Sequence, residues 1–359
     1  MSFKQISWVT SLLLVIAIIV ESCDSGDDEN GGNPPAEFDR AAMLANYADN
    51  LIIPAYDELQ SAVDDLKTAS DAFAGDPSAA NLEVLQADLK SARLSWQQAN
   101  FYQFGPAETN TLRAVVNTYP TDTDKINDNI ENGGYTLGSL DNIAAGGLPA
   151  IDYLIHSNHP QTGGRITYLT DNVDFVKSAV DNVVSGWDAA GDDYRGTFLD
   201  QSNGGTDVGS SISLLVNAMI LHYERFLRDG KIGIPAGVRS AGVPRPTATE
   251  AFYGGYSAEL AVANLQAFKV LFTGAGGSGL DDYLVFMESQ DLANDISAGL
   301  DQAIADAQAL TDPLSENIEN NNESVIAVFT SLQEILVLMK VDMTSVLGIT
   351  ITYQDNDGD

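Results

Sequence analysis

Apolar residues recur every three or four positions along most of the chain from residue 37 onward, which is the spacing of a buried helix face. A first stripe covers residues 44–66, and Pro54 inside it predicts a kink or a restart of the helix. A second stripe covers residues 82–99 and follows Ser78, a residue type that caps helix N-termini. Strict alternation of apolar and polar residues is rare, so the pattern predicts an all-α fold.

The later apolar stripes predict further helices and a division of the chain into two parts. These stripes cover residues 173–187, 212–226, 258–272, 280–288, 292–310 and 315–347. Gly, Asp, Ser and Asn dominate residues 191–209, which marks this stretch as the best domain boundary. We expect two antiparallel helical bundles packed side by side, over residues 37–195 and 205–350, followed by an acidic tail over residues 351–359.

Charge narrows the classes of partner. The 359 residues include 17 Lys and Arg against 51 Asp and Glu, which gives a formal net charge of −34. A surface this negative repels phosphate backbones, so we expect no nucleic-acid partner. Metal cations and basic peptides remain compatible with this charge.

The first residues of the sequence have the composition of an export signal. Lys4 precedes an apolar run over residues 12–20, and the single cysteine of the chain, Cys23, follows shortly after. The run is too short for a membrane span, which needs about 20 apolar residues. The arrangement resembles a bacterial lipoprotein signal over residues 1–22, with lipid attached to Cys23. The alternative is an ordinary secretory signal that leaves a free thiol, which would be a liability in an oxidising compartment.

Residues 23–36 are rich in Gly, Pro and acidic residues and predict a flexible tether behind the lipidated Cys23. An acidic run at this place is similar to the export tag of surface-exposed lipoproteins, and it equally fits a simple solvated spacer. We therefore expect a protein of the cell envelope, anchored by its lipid in the outer membrane and facing either the periplasm or the cell surface. The membrane is then one of its partners.

The chain has only three histidines, His156, His159 and His222. Asp152 lies four residues before His156, so a helix through both places them on one face. A carboxylate and an imidazole form part of a metal site, and imidazole suits zinc, iron or copper. The alternative is that residues 157–160 are already a loop with solvated histidines.

His222 follows Met219 by three residues and lies on or beside the buried face of its helix. It is predicted to be a hydrogen-bonded core histidine, or, if it faces the other bundle, to complete a metal site with Asp152. The chain has no His-Glu-x-x-His, G-x-S-x-G or phosphate-loop motif, and we assign no catalytic residue.

Three motifs stand in a fixed order along the chain. They are Trp96 followed by Phe104-Gly105-Pro106, then Gly147-Leu-Pro149-Ala-Ile-Asp152, then Lys231-Ile-Gly233-Ile-Pro235. Together they resemble the motifs of the imelysins, also called insulin-cleaving membrane peptidases or iron-regulated protein A-like proteins. The resemblance covers roughly residues 38–350.

The resemblance implies a two-domain helical fold with a ligand site at the domain interface, a link to bacterial iron uptake and a proposed peptidase activity. It also implies that the G-x-H-x-x-E segment of the family is the metal-binding element. This chain departs from that segment, because Pro149 stands at the histidine position and Asp152 at the glutamate position. A proline side chain offers no lone pair to a metal and instead suits the first turn of a helix.

These observations favour a non-catalytic, lipid-anchored binding protein associated with iron or metal uptake. Its ligand would be a metal ion, with iron or another divalent metal as the cofactor, or else a peptide or an envelope protein. Asp152 would be the polar anchor, Gly147 and Pro149 would shape the turn, and Lys231 would lie on the opposite wall. The alternatives are a metal-dependent peptidase of the imelysin type and a glycan-binding surface lipoprotein.

Overall fold

Helices make up the regular structure of the computed structural model, which describes residues 37–188 and 193–354 and has no strand in those ranges. The predicted all-α fold is confirmed. The helices of the first half are α1 (Arg40–Tyr47), α2 (Ile53–Gly75), α3 (Ala79–Ala99), α4 (Pro106–Thr109), α5 (Leu112–Asn117), α6 (Thr123–Asn132), α7 (Gly147–His156) and α8 (Gly163–Asp188). The predicted signal, Cys23 and the tether lie outside the described residues.

The helices of the second half are α9 (Tyr194–Leu199), α10 (Ser211–Leu221), α11 (Ser257–Thr273), α12 (Leu280–Phe286), α13 (Gln290–Gln308), α14 (Leu314–Asn320), α15 (Asn322–Val337) and α16 (Thr344–Leu347). Three π-helical segments interrupt the α-helices, at Ala48–Ile52, His222–Gly233 and Leu338–Met343. Short 3-10 helices lie at Leu140–Ala145, Gln201–Asn203, Pro246–Ala248 and Gly274–Gly276.

The two predicted helix starts of the first half are confirmed. A π-helical segment over Ala48–Ile52 ends just before Pro54, and α2 then begins with this proline in its first turn, where its missing N–H costs nothing. Ser78 caps α3, because its side chain accepts a hydrogen bond of 3.3 Å from the backbone N–H of Asn81. The apolar faces of α3 and α8 both pack against α2, which forms the core of the first half.

The prediction of a single helix over residues 315–347 is wrong. Asn321 has φ −150° and ψ 61°, which ends α14 and starts α15 one residue later. In the described part of the chain, the run Asn322–Leu347 alone has the length and hydropathy of a membrane span. Core helices of soluble proteins pass the same test, and α15 packs on α13 and on the π-helical segment His222–Gly233.

The two halves of the chain contact each other in the described residues. Helix α3 of the first half packs on α11 of the second. Within the predicted boundary, the ring of Phe198 is buried and stacks on Phe104 with the centroids 5.7 Å apart. At the C-terminal end, the N–H of Thr352 donates to Asn217 Oδ1 over 2.8 Å, so the predicted tail is held as far as it is described. The division into two bundles stays a prediction.

Candidate functional site

The helix that carries Asp152 is fixed at its start by a glycine. Gly147 has φ +79°, a conformation that side chains disfavour, and a Cβ there would lie 2.5 Å from the carbonyl oxygen of Val116. Pro149 follows in the first turn of α7, as its missing N–H favours. From Gly147 to Ile155 every residue of α7 is buried. The glycine therefore lets α7 run close against α5 and hold Asp152 inside the protein.

Asp152 is buried and faces backbone from the second half of the chain. Its Oδ2 accepts hydrogen bonds from the N–H groups of Tyr253 at 3.2 Å and Gly254 at 3.3 Å. Nδ1 of His156 lies 3.0 Å from its Oδ1, and a terminal nitrogen of Arg93 lies 3.9 Å from its Oδ2. The prediction that Asp152 and His156 share one face of a helix is confirmed.

A second buried carboxylate, Glu250, lies in the same polar cluster. Its Oε2 accepts a short hydrogen bond from Nζ of Lys231, and its Oε1 accepts from Asn117 at 2.8 Å and Gln97 at 3.2 Å. The backbone carbonyl of Glu250 accepts from Arg93 at 3.3 Å. Two buried cations, Arg93 and Lys231, thus stand against two buried carboxylates, Asp152 and Glu250, and the cluster is formally neutral.

The pKa directions agree with an ionised Lys231–Glu250 pair. Burial raises the pKa of the Glu250 carboxyl, but the nearby Lys231 and Arg93 outweigh burial and hold the pKa below its ordinary value. Burial lowers the pKa of the Lys231 ammonium, against the opposing attraction of Glu250. We therefore treat both groups as charged at neutral pH.

A small cavity of about 220 Å³ lies beside this cluster. Asp152, Glu250 and Pro149 line it together with Tyr253 and the turn Tyr119-Pro120. Residues from both halves of the chain meet there. The volume suits a ligand of a few heavy atoms or a small group of water molecules.

The residues beside the cavity do not fit a metal ion. Three of the four carboxylate oxygens of Asp152 and Glu250 already accept hydrogen bonds. The fourth oxygen, Oδ1 of Asp152, accepts no hydrogen bond from the described residues. With His156 it supplies two ligands, fewer than the three or four protein ligands that zinc sites use. In residues 37–188 and 193–354 no three His, Cys, Asp or Glu side chains form a group that could hold a metal.

His222, the third predicted metal ligand, belongs to another environment. Its Nε2 lies 2.9 Å from Oδ1 of Asn264, and a terminal nitrogen of Arg113 lies 3.3 Å from its Nδ1. These partners fix a neutral imidazole with hydrogen on Nε2. Burial, with the nearby Arg113, holds the pKa of His222 well below its ordinary value. The core reading of this residue is confirmed, and the predicted set of Asp152, His156 and His222 is not assembled.

His159, the remaining histidine, lies outside the buried cluster. It is exposed in the loop after α7, and its ring lies 5.7 Å from the ring of Tyr153. The predicted loop therefore begins after His156, which is the last residue of α7. His159 is exposed to solvent, as the alternative interpretation predicted for both histidines, whereas His156 faces Asp152.

The other two motifs divide between packing and the site. Trp96 and Phe104 are buried, and Gly105 has φ +56° with a Cβ position 2.4 Å from the ring of Tyr194. Pro106 begins α4. These residues build the core of the first half and do not line the cavity beside Asp152.

In the third motif, Lys231 alone reaches the buried cluster. A Cβ on Gly233 would lie 2.7 Å from the ring of Phe329, so this glycine allows a close approach to α15. The carbonyl of Pro235 accepts a hydrogen bond of 2.8 Å from the N–H of Arg245.

Sequence reasoning missed Arg93, Gln97, Asn117 and Glu250. Arg93 could have been recognised, because it lies four residues after Leu89 on the apolar stripe of α3. A charged residue on a buried helix face usually has a partner of opposite charge. Gln97 lies one turn further along the same helix. Asn117 and Glu250 lie at the end of a short helix and in a loop, where no periodicity marks them.

The imelysin family model matches residues 52–339, which is most of the chain. A curated relative, iron-regulated protein A of Synechococcus elongatus, is 25% identical over 167 residues, which cover 46% of this chain and 45% of that protein. The match therefore spans about half the length of the curated relative.

Two solved structures share the fold. A candidate iron-regulated protein A precursor from Parabacteroides distasonis superposes with a TM-score of 0.74 at 17% identity, over 88% of this chain and 97% of that one. An imelysin-like protein from Psychrobacter arcticum superposes with a TM-score of 0.73 at 18% identity, over the same shares. At this identity the likeness describes the fold alone.

Proposed function

The chain belongs to the imelysin family, and from that premise we propose that it is a non-catalytic binding protein with an iron-related role. The name of the curated relative, iron-regulated protein A, supports the iron-related setting. The candidate ligand site is the polar cavity lined by Pro149, Asp152, Tyr253 and Glu250. We place the protein at the cell envelope, held by a lipid on Cys23.

The observation that carries the non-catalytic reading is the state of the two buried carboxylates. A metallopeptidase needs a metal with an open coordination position and a carboxylate or imidazole that is able to accept a proton. Here Glu250 is engaged by Lys231, Gln97 and Asn117. Both oxygens of Asp152 face nitrogen atoms. Neither carboxylate is placed to bind metal and water together.

Restoring the family segment tests this proposal directly. The double variant Pro149→His, Asp152→Glu adds an imidazole and lengthens the carboxylate at the cavity wall. We expect it to bind Zn²⁺ or anaerobic Fe²⁺ about tenfold or more tightly than the wild type, measured by calorimetry and by metal content after dialysis. The single variants Pro149→Ala and Asp152→Glu are the matched controls and should stay at the wild-type level.

Peptidase activity is the competing function. With Zn²⁺ or Fe²⁺ added, the wild-type protein is expected to leave insulin B chain and unfolded peptides uncut. The proposal fails if the wild type binds one metal per chain with an affinity that Asp152→Asn removes, or if it cleaves these peptides.

The iron-related role is tested by growth. A deletion strain and the same strain complemented with the wild-type gene are compared under iron-replete and iron-limited conditions. Equal growth with and without the gene would contradict the role.

Glycan binding finds no support in the described residues. A glycan-binding surface usually presents an exposed aromatic platform, but Trp96 and Trp187 are each 1% exposed and lie in the core. The third tryptophan of the chain, Trp8, lies in the predicted signal.

The anchor has its own test. The variant Cys23→Ser, expressed with its native leader, is expected to lose incorporation of labelled palmitate and to leave the membrane fraction. Labelling and fractionation that match the wild type would contradict a lipid on this residue.

A further inference from the structure

A larger cavity, of about 670 Å³, shares the turn Tyr119-Pro120 with the polar cavity. Both cavities are lined by that turn, but their walls differ. Much of the larger one is apolar, from side chains that include Ala107, Leu221, Phe226, Ile234 and Ala248. Its volume falls in the range of sites for small organic molecules.

Three arginines line this cavity in a chain that has only 17 Lys and Arg and a net charge of −34. They are Arg113, Arg225 and Arg245. In the described part of the chain none of the three makes an ion pair with an acidic side chain within 4.0 Å. The one acidic residue of the lining, Glu108, is exposed. The cavity therefore has an excess of positive charge on its walls.

Arg113 is the most deeply placed of the three. A terminal nitrogen donates to the carbonyl of Asn100 over 2.5 Å and lies 3.3 Å from Nδ1 of His222, while the guanidinium stacks 4.0 Å from the ring centre of Phe226. Its Nε is buried and has no hydrogen-bond partner among the described residues. By contrast, the buried Arg228 pairs with the carboxylate of Asp229 at 2.9 Å.

An uncompensated cation in a part-buried apolar site carries a desolvation cost that a bound anion relieves. Burial also lowers the pKa of Arg113, and no carboxylate contributes to that shift. Guanidinium groups bind carboxylate and phosphate oxygens through paired N–H donors. An anionic group on an apolar body therefore matches both the charge and the walls of the cavity.

The backbone around the cavity leaves room for such a ligand. Arg225 and Phe226 project from the π-helical segment His222–Gly233, and π-helical turns are frequent at functional sites. A Cβ on Gly230 in the same segment would lie 3.1 Å from the hydroxyl of Tyr119 and would narrow the space. Thr111 and Ala114, which also line the cavity, are exposed and give it access to solvent.

We propose that this cavity binds a small organic anion with an apolar body, whose anionic group is received by Arg113 together with Arg225 and Arg245. The site is separate from the polar cavity and does not depend on the function proposed for it. The negative surface of the chain as a whole repels anions, so specific binding here is expected to stand out from non-specific binding.

Decanoate, decyl phosphate and decan-1-ol test the proposal on the purified chain, because they share an apolar body and differ in charge. We expect at least one of the two anions to bind with a stoichiometry of one by calorimetry, about tenfold or more tightly than decan-1-ol. The tighter of the two anions identifies the head group. Equal binding of all three compounds, or no binding of either anion, would overturn the proposal.

Variants then locate the site. Arg113→Gln and the double variant Arg225→Gln, Arg245→Gln are each expected to weaken the anion about tenfold and leave decan-1-ol unchanged. Ala114→Trp, at an exposed lining position, is expected to abolish binding by filling the cavity. Arg195→Gln removes one exposed charge elsewhere and should bind like the wild type.

Unchanged thermal unfolding separates loss of the site from loss of the fold in each variant. Should Arg113→Gln fail to fold, the double variant and Ala114→Trp decide alone. Wild-type affinity in these two variants would overturn the assignment.

Discussion

The two cavities that share Tyr119 and Pro120 differ in whether the charged side chains around them are balanced by charges of the opposite sign. In the buried cluster beside the polar cavity, Lys231 and Arg93 face Glu250 and Asp152, and the charges cancel within the protein. In the larger cavity, the arginines have no carboxylate partner among the described residues. Charges that cancel need no ligand to balance them, whereas an excess of one sign leaves a place for a ligand of the other sign.

This difference bears on the altered family segment. Pro149 stands at the position where the resemblance to the imelysins implies an imidazole, and Asp152 accepts hydrogen bonds from backbone N–H groups and faces His156. The polar cluster thereby connects α3 and α7 to the loop that carries Glu250. We infer that the cluster joins the two halves of the chain beside the candidate ligand site, whereas the arginine cavity carries charge that no acidic side chain balances in the described residues.

The largest expected effect tests whether the polar cluster is charge-balanced. Lys231→Met leaves Glu250 buried without its cation, and breaking a buried pair in this way costs about 3–5 kcal/mol of unfolding free energy. Urea unfolding measures the loss. The double variant Lys231→Met, Glu250→Gln removes both charges, keeps an oxygen acceptor for Asn117, and is expected to regain at least half of the lost stability. A double variant no more stable than Lys231→Met would show that the charges are not coupled.

A smaller effect tests how the two cavities are held together. Gly147 of α7 approaches Val116 of α5, and α5 carries both Asn117 of the polar cluster and Arg113 of the larger cavity. Gly147→Ala must adopt φ +79° and displace the Val116 carbonyl, so we expect a loss of about 2 kcal/mol or more. Gly242→Ala, at φ +81° with open space around it, reports the cost of a positive φ without a close contact. Equal losses in the two variants would contradict a role for the close contact.

The sequence predicted the helices better than the site, for a physical reason. A buried helix face repeats every three or four residues, so the stripes, the restart at Pro54 and the Ser78 cap could all be recognised. The break at Asn321 has no comparable signal. The polar cluster joins side chains that are far apart along the chain, such as Arg93 and Glu250, and spacing carries no information on such contacts. The resemblance to the family segment pointed to Asp152. Its partners, Arg93 and the backbone of residues 253–254, belong to no motif and could not be predicted.

The next prediction concerns pH and the histidine beside the arginine cavity. The pKa of His222 is held well below 6.5 in the folded chain, mainly by burial and also by Arg113. Below about pH 6.5, His222 binds a proton in the unfolded chain but stays neutral in the folded chain. The free energy of unfolding therefore falls as the pH drops. For one proton the slope is about 1.4 kcal/mol per pH unit. Urea unfolding between pH 7 and pH 5 measures it.

His222→Gln is expected to remove most of that slope, whereas His159→Asn, at an exposed histidine, should leave it intact. An undiminished slope in His222→Gln would mean that another group carries the pH dependence. Anion binding should raise stability at each pH in this range, since the anion binds the folded chain.

The smallest expected effect is the sharpest contrast between the two cavities. Arg113→Met removes a cation that has no acidic partner in the described residues, so the loss of its hydrogen bonds to Asn100 and His222 is offset by relief of desolvation. We expect the unfolding free energy to change by less than about 1 kcal/mol. Arg228→Met is the matched control at a buried arginine that pairs with Asp229, and we expect it to cost about 2 kcal/mol or more. If Arg113→Met costs as much as Arg228→Met, Arg113 contributes to the fold as a paired residue does, and the contrast between a charge-balanced cluster and an open arginine cavity is lost.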